Sequence, residues 1–549
     1  MKGIIYIVFI FSTGTVLLGQ SKIQYQADTA VVKVQNNESI RYLWKISDDR
    51  PVLFKQNNTK VSNDSSIYFA KRNIMESFGS VKIKDDSTTI TSDLMLYDGN
   101  RRTAQLRKNV VYNNGERWMY TELLDYNIEM EIATYSNGGK LVDTTNTLTS
   151  SFGVFYSLQN YAVFTKNVKL ISPDFVLESD TLRYNTITKV AYTDGPTIIT
   201  TEDGTELFSK GGEFRTYIDQ SQFIKGNVET EDYILQGEEL FFDDLRKYYR
   251  STGKVKLTAK QRDVIITGEE GYYDRASGQS VIYGNPVMKR IMETDTFYLA
   301  ADTLVAIESK YDTAKRILAY PDIRIFKSNL QGLADSSAYF RSDSIIFMYG
   351  DPLLWTNKNQ IRADTIELQL KEQTIEKMVL HQDAFLINQD TLGNHNQIKG
   401  RNMTTYFREN MIDNIEVDGN GESIFYILDE GDSLLVGMNR LLCSDMKLRF
   451  SNNDIETITV YKQPEGRIIP PHELSETDEA LTGYSWLYDN RPYLKDIFSK
   501  PEPIDRSRER GSSRPSTPQR PKNDPYESPG NTERFRSGGG RGLKGKGGF

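Results

Sequence analysis

The chain has 549 residues, a formal net charge of −8, one cysteine, 38% hydrophobic residues and a mean hydropathy of −0.53. An acidic body argues against general nucleic-acid binding, which needs a basic footprint, and a single cysteine excludes an internal disulfide. The low apolar share fits a thin, two-sheet structure with much surface per unit of core better than a compact enzyme.

Residues 1–20 read as a cleaved signal peptide, with Lys2 ahead of the apolar runs Ile4 to Phe11 and Val16 to Leu18. An uncleaved anchor is the alternative. Gln20 stands where a lipoprotein signal needs cysteine. No other segment approaches the ~20 apolar residues of a spanning helix. Residues 21–60 form a lead-in, with strands expected at Tyr42-Leu43-Trp44 and Pro51-Val52-Leu53-Phe54.

From 61 to 463 a short phrase recurs. It opens on an acid, as in Asp93-Leu94-Met95-Leu96-Tyr97, Asp180-Thr181-Leu182-Arg183-Tyr184, Asp302-Thr303-Leu304, Asp343-Ser344-Ile345 and Asp364-Thr365-Ile366. A turn residue and an alternating strand accompany it, as in Gly79-Ser80-Val81-Lys82-Ile83, Lys166-Asn167-Val168-Lys169-Leu170 and Gly253-Lys254-Val255-Lys256-Leu257. The return every ~30 residues marks a repeat too small to bury its own apolar face, so the units must stack. At ~12 residues per strand, residues 22–470 predict roughly 18 strands in each of two sheets and a body about 90 Å long.

Alternation places Val81, Ile83, Leu94, Leu96, Val168, Leu170, Leu182, Val255, Leu257 and Leu304 on one face. Lys82, Lys84, Lys169, Arg183 and Lys256 fall on the other. An interior filled by its own side chains and one left partly open for an apolar ligand both require this pattern.

Ile469-Pro470-Pro471 ends the repeat. Ser475 with Asp478 and Glu479 reads as the start of a short helix. The aromatics Trp486, Tyr493 and Phe498 make 464–499 a C-terminal cap segment over an open sheet end. Residues 500–549 carry 12 Lys/Arg against 6 Asp/Glu and read as a disordered basic tail.

No catalytic or metal constellation emerges, and no cofactor is expected. The histidines are His381, His395 and His472, and the first two, with Asp383 and Asp390, lack zinc-site spacing. Asp418-Gly419-Asn420-Gly421-Glu422 is too short for a calcium-binding EF-hand loop and is assigned to a hairpin turn. Gly483-Tyr484-Ser485-Trp486-Leu487 lacks the second glycine of a nucleophile elbow. The recurrent acids are read as local backbone hydrogen-bond acceptors.

The phrases Asp64-Ser65-Ser66-Ile67-Tyr68-Phe69, Phe78-Gly79-Ser80-Val81-Lys82-Ile83 and Ser179-Asp180-Thr181-Leu182-Arg183-Tyr184 resemble the OstA-like repeat of LptA-like periplasmic lipopolysaccharide-transport proteins of Gram-negative bacteria. The length resembles the long OstA-like chains of Bacteroidetes. The resemblance covers about residues 40–460. It implies an all-β fold, an elongated antiparallel β-jellyroll of two facing sheets around an apolar groove. It also implies a non-enzymatic periplasmic bridge carrying the acyl chains of lipopolysaccharide, or a similar acylated glycolipid, towards the outer membrane. The implied partners are inner- and outer-membrane transport components, with head-to-tail self-association through edge strands. Outer-membrane association of the exported protein stays open. The chain departs from the family in its length, its basic tail and the absence of enough further residues for even an eight-stranded barrel. The alternative is a structural or adhesive exported β-solenoid with a filled core; a carbohydrate-active enzyme on a β scaffold is a third reading.

Overall fold

The computed structural model describes residues 22–499 apart from 86–87, 116, 261–262, 294, 310, 312–313, 372–373, 409–410, 452–453 and 476. The leader at 1–20 and the basic tail at 500–549 lie outside the described residues. What is described is an all-β, antiparallel jellyroll of 40 strands, from Gln24–Gln26 to Glu465–Ile469.

The architecture follows from a bend built into its long strands. In Ile74–Asp85 the first half pairs with Ser65–Phe69 and the second with Thr59–Asn63. The register slips between Phe78 and Val81, where Gly79 and Ser80 both adopt the left-handed conformation (φ 70° and 44°). The same doublet recurs at Lys108/Asn109, Lys166/Asn167, Gly253/Lys254, Gln382/Asp383 and Gly419/Asn420. Each doublet turns one strand out of the first sheet and into the second, so one long strand serves both. The walls are therefore joined along one edge, and their hairpin turns form two rows along the other.

This corrects two expectations. The glycine-containing phrases at 79, 253 and 419 are bends inside strands rather than hairpin turns; two successive left-handed residues suit both uses equally. Because the long strands count twice, each wall holds roughly 28 rungs, or ~130 Å along the stack at ~4.8 Å per rung. The shorter estimate of 90 Å divided the strands between the sheets.

Side chains complete the corner. A bend frees backbone carbonyls, and hydroxyls nearby answer them: Ser92 Oγ donates to the Leu94 carbonyl at 3.0 Å and Thr121 Oγ1 to that of Gly138 at 2.7 Å. The recurrent acids stand on the neighbouring strand at the same corner. Asp64 accepts from Ser80 Oγ at 3.1 Å, Asp93 from Asn109 Nδ2 at 2.7 Å and Asp445 from the Gly419 N–H at 3.1 Å. They clip one rung to the next. At Gly79 a Cβ would lie 2.4 Å from an Asp64 carboxylate oxygen, so a side chain there would have to push that carboxylate aside.

The segment after Ile469 is a strap rather than an end cap. It runs back across the outside of the second wall. The Glu479 carbonyl accepts from Gln397 Nε2 (2.7 Å) and the Ser485 carbonyl from Gln360 Nε2 (2.7 Å). Farther along, the Asp496 and Ser499 carbonyls accept from Arg324. Leu481, Tyr484 and Trp486 pack on Phe385, Ile387, Ile424 and Met438. Ile497 packs on Val287 and Ala300. Under the strap the wall is apolar on both faces, which is why Ala384-Phe385-Leu386-Ile387 is a continuous run. Among the described residues its α-helix is the single turn Leu494–Ile497 near the end, rather than one starting at Ser475.

Candidate functional site

Over the first part of the stack the walls meet. Tyr25 of the second wall contacts Tyr68 of the first (ring centroids 6.0 Å), and Tyr97 donates across the interior to Gln56 Oε1 at 2.5 Å. Tyr112 reaches across to Tyr126 and to Phe155, each at 6.4 Å. Met75, Ile90, Leu106 and Met119 fill the remaining space, all fully buried. At the far end Leu386, Ile398, Met403, Val417, Met446 and Leu448 form a second packed region.

Between these ends the walls stand apart. A cavity of about 2700 Å³ runs from Leu141 and Leu148 to Met378 and Phe407. Its ring contacts follow a single wall: Phe214–Phe223 at 5.1 Å, Phe223–Phe242 at 5.7 Å and Phe242–Tyr249 at 5.7 Å. Leu170, Leu182, Ile199, Leu207, Leu235, Leu257 and Ile266 add aliphatic lining. The lining becomes polar at the two rows of turns, where exposed Asp174, Asp203 and Asp263 face Asp219, Asp244 and Lys247. The site is a long apolar trough with a polar-rimmed slot along one side.

Of the residues picked from alternation, Leu170, Leu182, Val255, Leu257 and Leu304 line this trough. Val168 is buried in the packed cluster that reaches the trough's first rungs. Val81 and Ile83 point inward but lie in the filled part, each 1% exposed. Leu94 and Leu96 are corrections. Leu96 is 38% exposed and Leu94 only half-buried, while Met95 and Tyr97 are the buried pair. Asp93 occupies the corner as a single extra residue, so the alternation of Ile90 and Ser92 changes parity beyond it. The aromatic lining at Phe214, Phe223 and Phe242 was missed; its signal is an aromatic on the inward parity close to each bend.

The remaining candidates have structural roles. His381 pairs with Glu367 at 3.0 Å, and His395 Nδ1 meets the Tyr484 hydroxyl at 2.5 Å beneath the strap. Burial depresses the His395 pKa, against the raising influence of Asp390. Asp390 accepts the N–H groups of Leu392 and Asn394 within its own loop. Ser485 lends its carbonyl to the strap contact with Gln360.

Comparison with known proteins adds to this geometry. Residues 20–180 match the family model described as OstA-like protein. Residues 265–374 match that of the LptA/(LptD N-terminal domain) LPS transport protein. Over these segments the chain belongs to the OstA-like lipopolysaccharide-transport family. The two matched segments flank residues 181–264, which bend at single left-handed residues Gly195 and Lys225 and at the Gly253/Lys254 doublet and supply the centre of the trough. Among solved structures, LptH, the LptA-homologous periplasmic component of the conserved lipopolysaccharide transport device from Pseudomonas aeruginosa, matches at 15% identity. That match covers 32% of this chain and 82% of LptH, with a TM-score of 0.13. No curated protein matches the chain.

Proposed function

We propose that this OstA-like chain is a non-enzymatic periplasmic carrier of lipopolysaccharide or a similar acylated glycolipid, holding acyl chains in the trough as part of transport towards the outer membrane. The observation that carries the reading is the apolar cavity of about 2700 Å³ between walls that are packed shut elsewhere. Each exposed CH₂ costs ~0.8 kcal/mol in water, so a multi-acylated lipid gains from continuous cover of its tails. The slot leaves sugars and phosphates in solvent, and Lys247, Arg290 and Lys315 at the trough margin suit phosphate groups. The edge strand Thr29–Gln35, with Val32 and Val34 exposed and pairing described only to Glu38–Trp44, supports joining to membrane transport components or to a second copy by strand addition.

A photo-crosslinking residue at Leu257 or Leu170 should capture lipopolysaccharide in cells, whereas one at Lys256 or Lys169, on exposed outward positions, should capture little. Equal, near-zero capture at both sets returns the structural-solenoid reading to first place.

A further inference from the structure

Both ends of the trough are packed, which constrains how a long apolar ligand reaches it. Tyr112, Tyr126 and Phe155 bridge the walls on one side, and the Met403–Met446 cluster closes the other. The slot between the turn rows is the remaining route, and its two lips differ in character.

On the first wall, successive hairpins carry one large exposed apolar residue each: Met130, Leu158, Ile187, Tyr217 and Leu245, from 56% to 70% exposed. These hairpins are two rungs apart in one ladder, so the tips form a row with a spacing of about 10 Å. Over the open stretch exposed basic residues outnumber exposed acids in these turns and the next, with Lys189, Arg215, Arg246, Lys247 and Arg275 against Asp219 and Asp244. On the second wall the facing tips are Asp174, Asp203, Asp232 and Glu293, although Tyr233 and Ile291 are exposed at strand ends beside them. Where the interior is filled, the first-wall turns are polar: Asn36-Asn37, Lys71-Arg72 and Asn100-Arg101. The apolar tips therefore follow the approach and the first half of the open trough; farther along, the first-wall turns at Arg275-Ala276-Ser277 and Arg341-Ser342 are polar, with exposed Tyr311 between them.

Apolar tips among cations, beside a slot into an apolar trough, suit an anionic bilayer surface. We infer that the first-wall lip seats on an anionic lipid surface, and that acyl chains enter or leave the trough sideways through the slot rather than along the stack through its ends. This rests on the reading that the trough holds acyl chains. The seated tips bring the slot level with the tail region, so a chain exchanges between two apolar phases without crossing water. The acidic second lip is repelled by the same surface, which fixes the tilt.

The test uses the full chain with phosphatidylcholine vesicles containing phosphatidylglycerol at physiological ionic strength, and labelling is read site by site so that binding through the basic tail alone labels neither lip preferentially. Photo-crosslinking residues at Ile187, Tyr217 or Leu245 should label vesicle lipid about tenfold more than residues at Asp203 or Asp232. The triple variant Ile187→Ser, Tyr217→Ser, Leu245→Ser changes exposed positions and should keep the fold. It should lose capture of vesicle-borne lipopolysaccharide at Leu257 while retaining capture from detergent micelles. Equal labelling of both lips, or none on either, overturns the seating, as does unchanged vesicle capture by the triple variant. Absence of micelle capture by the unmodified chain instead removes the acyl-chain reading, and this inference with it.

Discussion

Two buried glutamines should decide whether the strap stays on the wall. Gln360 and Gln397 are 1% and 0% exposed, and each offers its amide to the strap backbone as a donor and an acceptor. Gln360 donates to the Ser485 carbonyl and accepts from the Leu487 N–H, both at 2.7 Å; Gln397 donates to the Glu479 carbonyl at 2.7 Å and accepts from the Leu481 N–H at 2.9 Å. A neutral hydrogen bond contributes about 0.5–1.5 kcal/mol net, so Gln360→Ala or Gln397→Ala should each weaken strap docking by about 1–3 kcal/mol. The strap can swing into water, so its own freed groups are not left buried, although Gln360→Ala also takes the acceptor from the buried Trp355 Nε1 at 3.3 Å and adds the cost of that unpaired donor. The double variant should lose about 2–6 kcal/mol if the sites are independent. Hydrogen exchange at residues 479–488 should then accelerate by about 30-fold or more, while exchange at Leu106 and Met119 in the filled interior stays unchanged. Native protection of 479–488 in the double variant would refute the reasoning, because the strap would then be held by its apolar contacts alone.

Acid should loosen the same segment. Burial depresses the His395 pKa below its ordinary 6.5, so the docked state holds the neutral ring while the released state binds a proton more readily. The stabilisation is complete above 6.5 and is lost as pH falls through the docked-state pKa; Trp486 fluorescence followed downward from neutral pH should report the release, and His395→Gln should flatten it. Core truncations should divide by location. Met75→Ala in the filled part should cost about 2–5 kcal/mol, whereas Leu235→Ala on the trough wall, partly exposed, should cost less than about 1.5 kcal/mol, as measured by denaturant midpoints. Leu257→Asp places a charge in the trough and should abolish lipopolysaccharide capture at Leu170, with circular dichroism confirming that the β fold persists.

The sequence by itself determined the β class, the stacking of a short repeat and the inward side of most strands. Those properties follow from side-chain alternation and the need of small units to share a core, and both are local. Val255, Leu257, Leu170 and Leu182 were legible for that reason. Leu94 and Leu96 were not, because one corner residue at Asp93 changes parity, and a bend and a hairpin turn use the same left-handed doublets. Only the tertiary structure decided that Gly79-Ser80 folds a strand between two walls, which lengthens the stack. It also showed that the apolar run at 384–387 is covered on its outer side by a strap from residues 471–499. The state of the interior is the plainest case. Tyr112 closes the space because Tyr126 and Phe155 reach it from the opposite wall, whereas Phe214, Phe223 and Phe242 pack along one wall and leave the space open. Alternation specifies which side chains point inward; whether they meet depends on the separation of two walls whose contacting residues are distant in sequence.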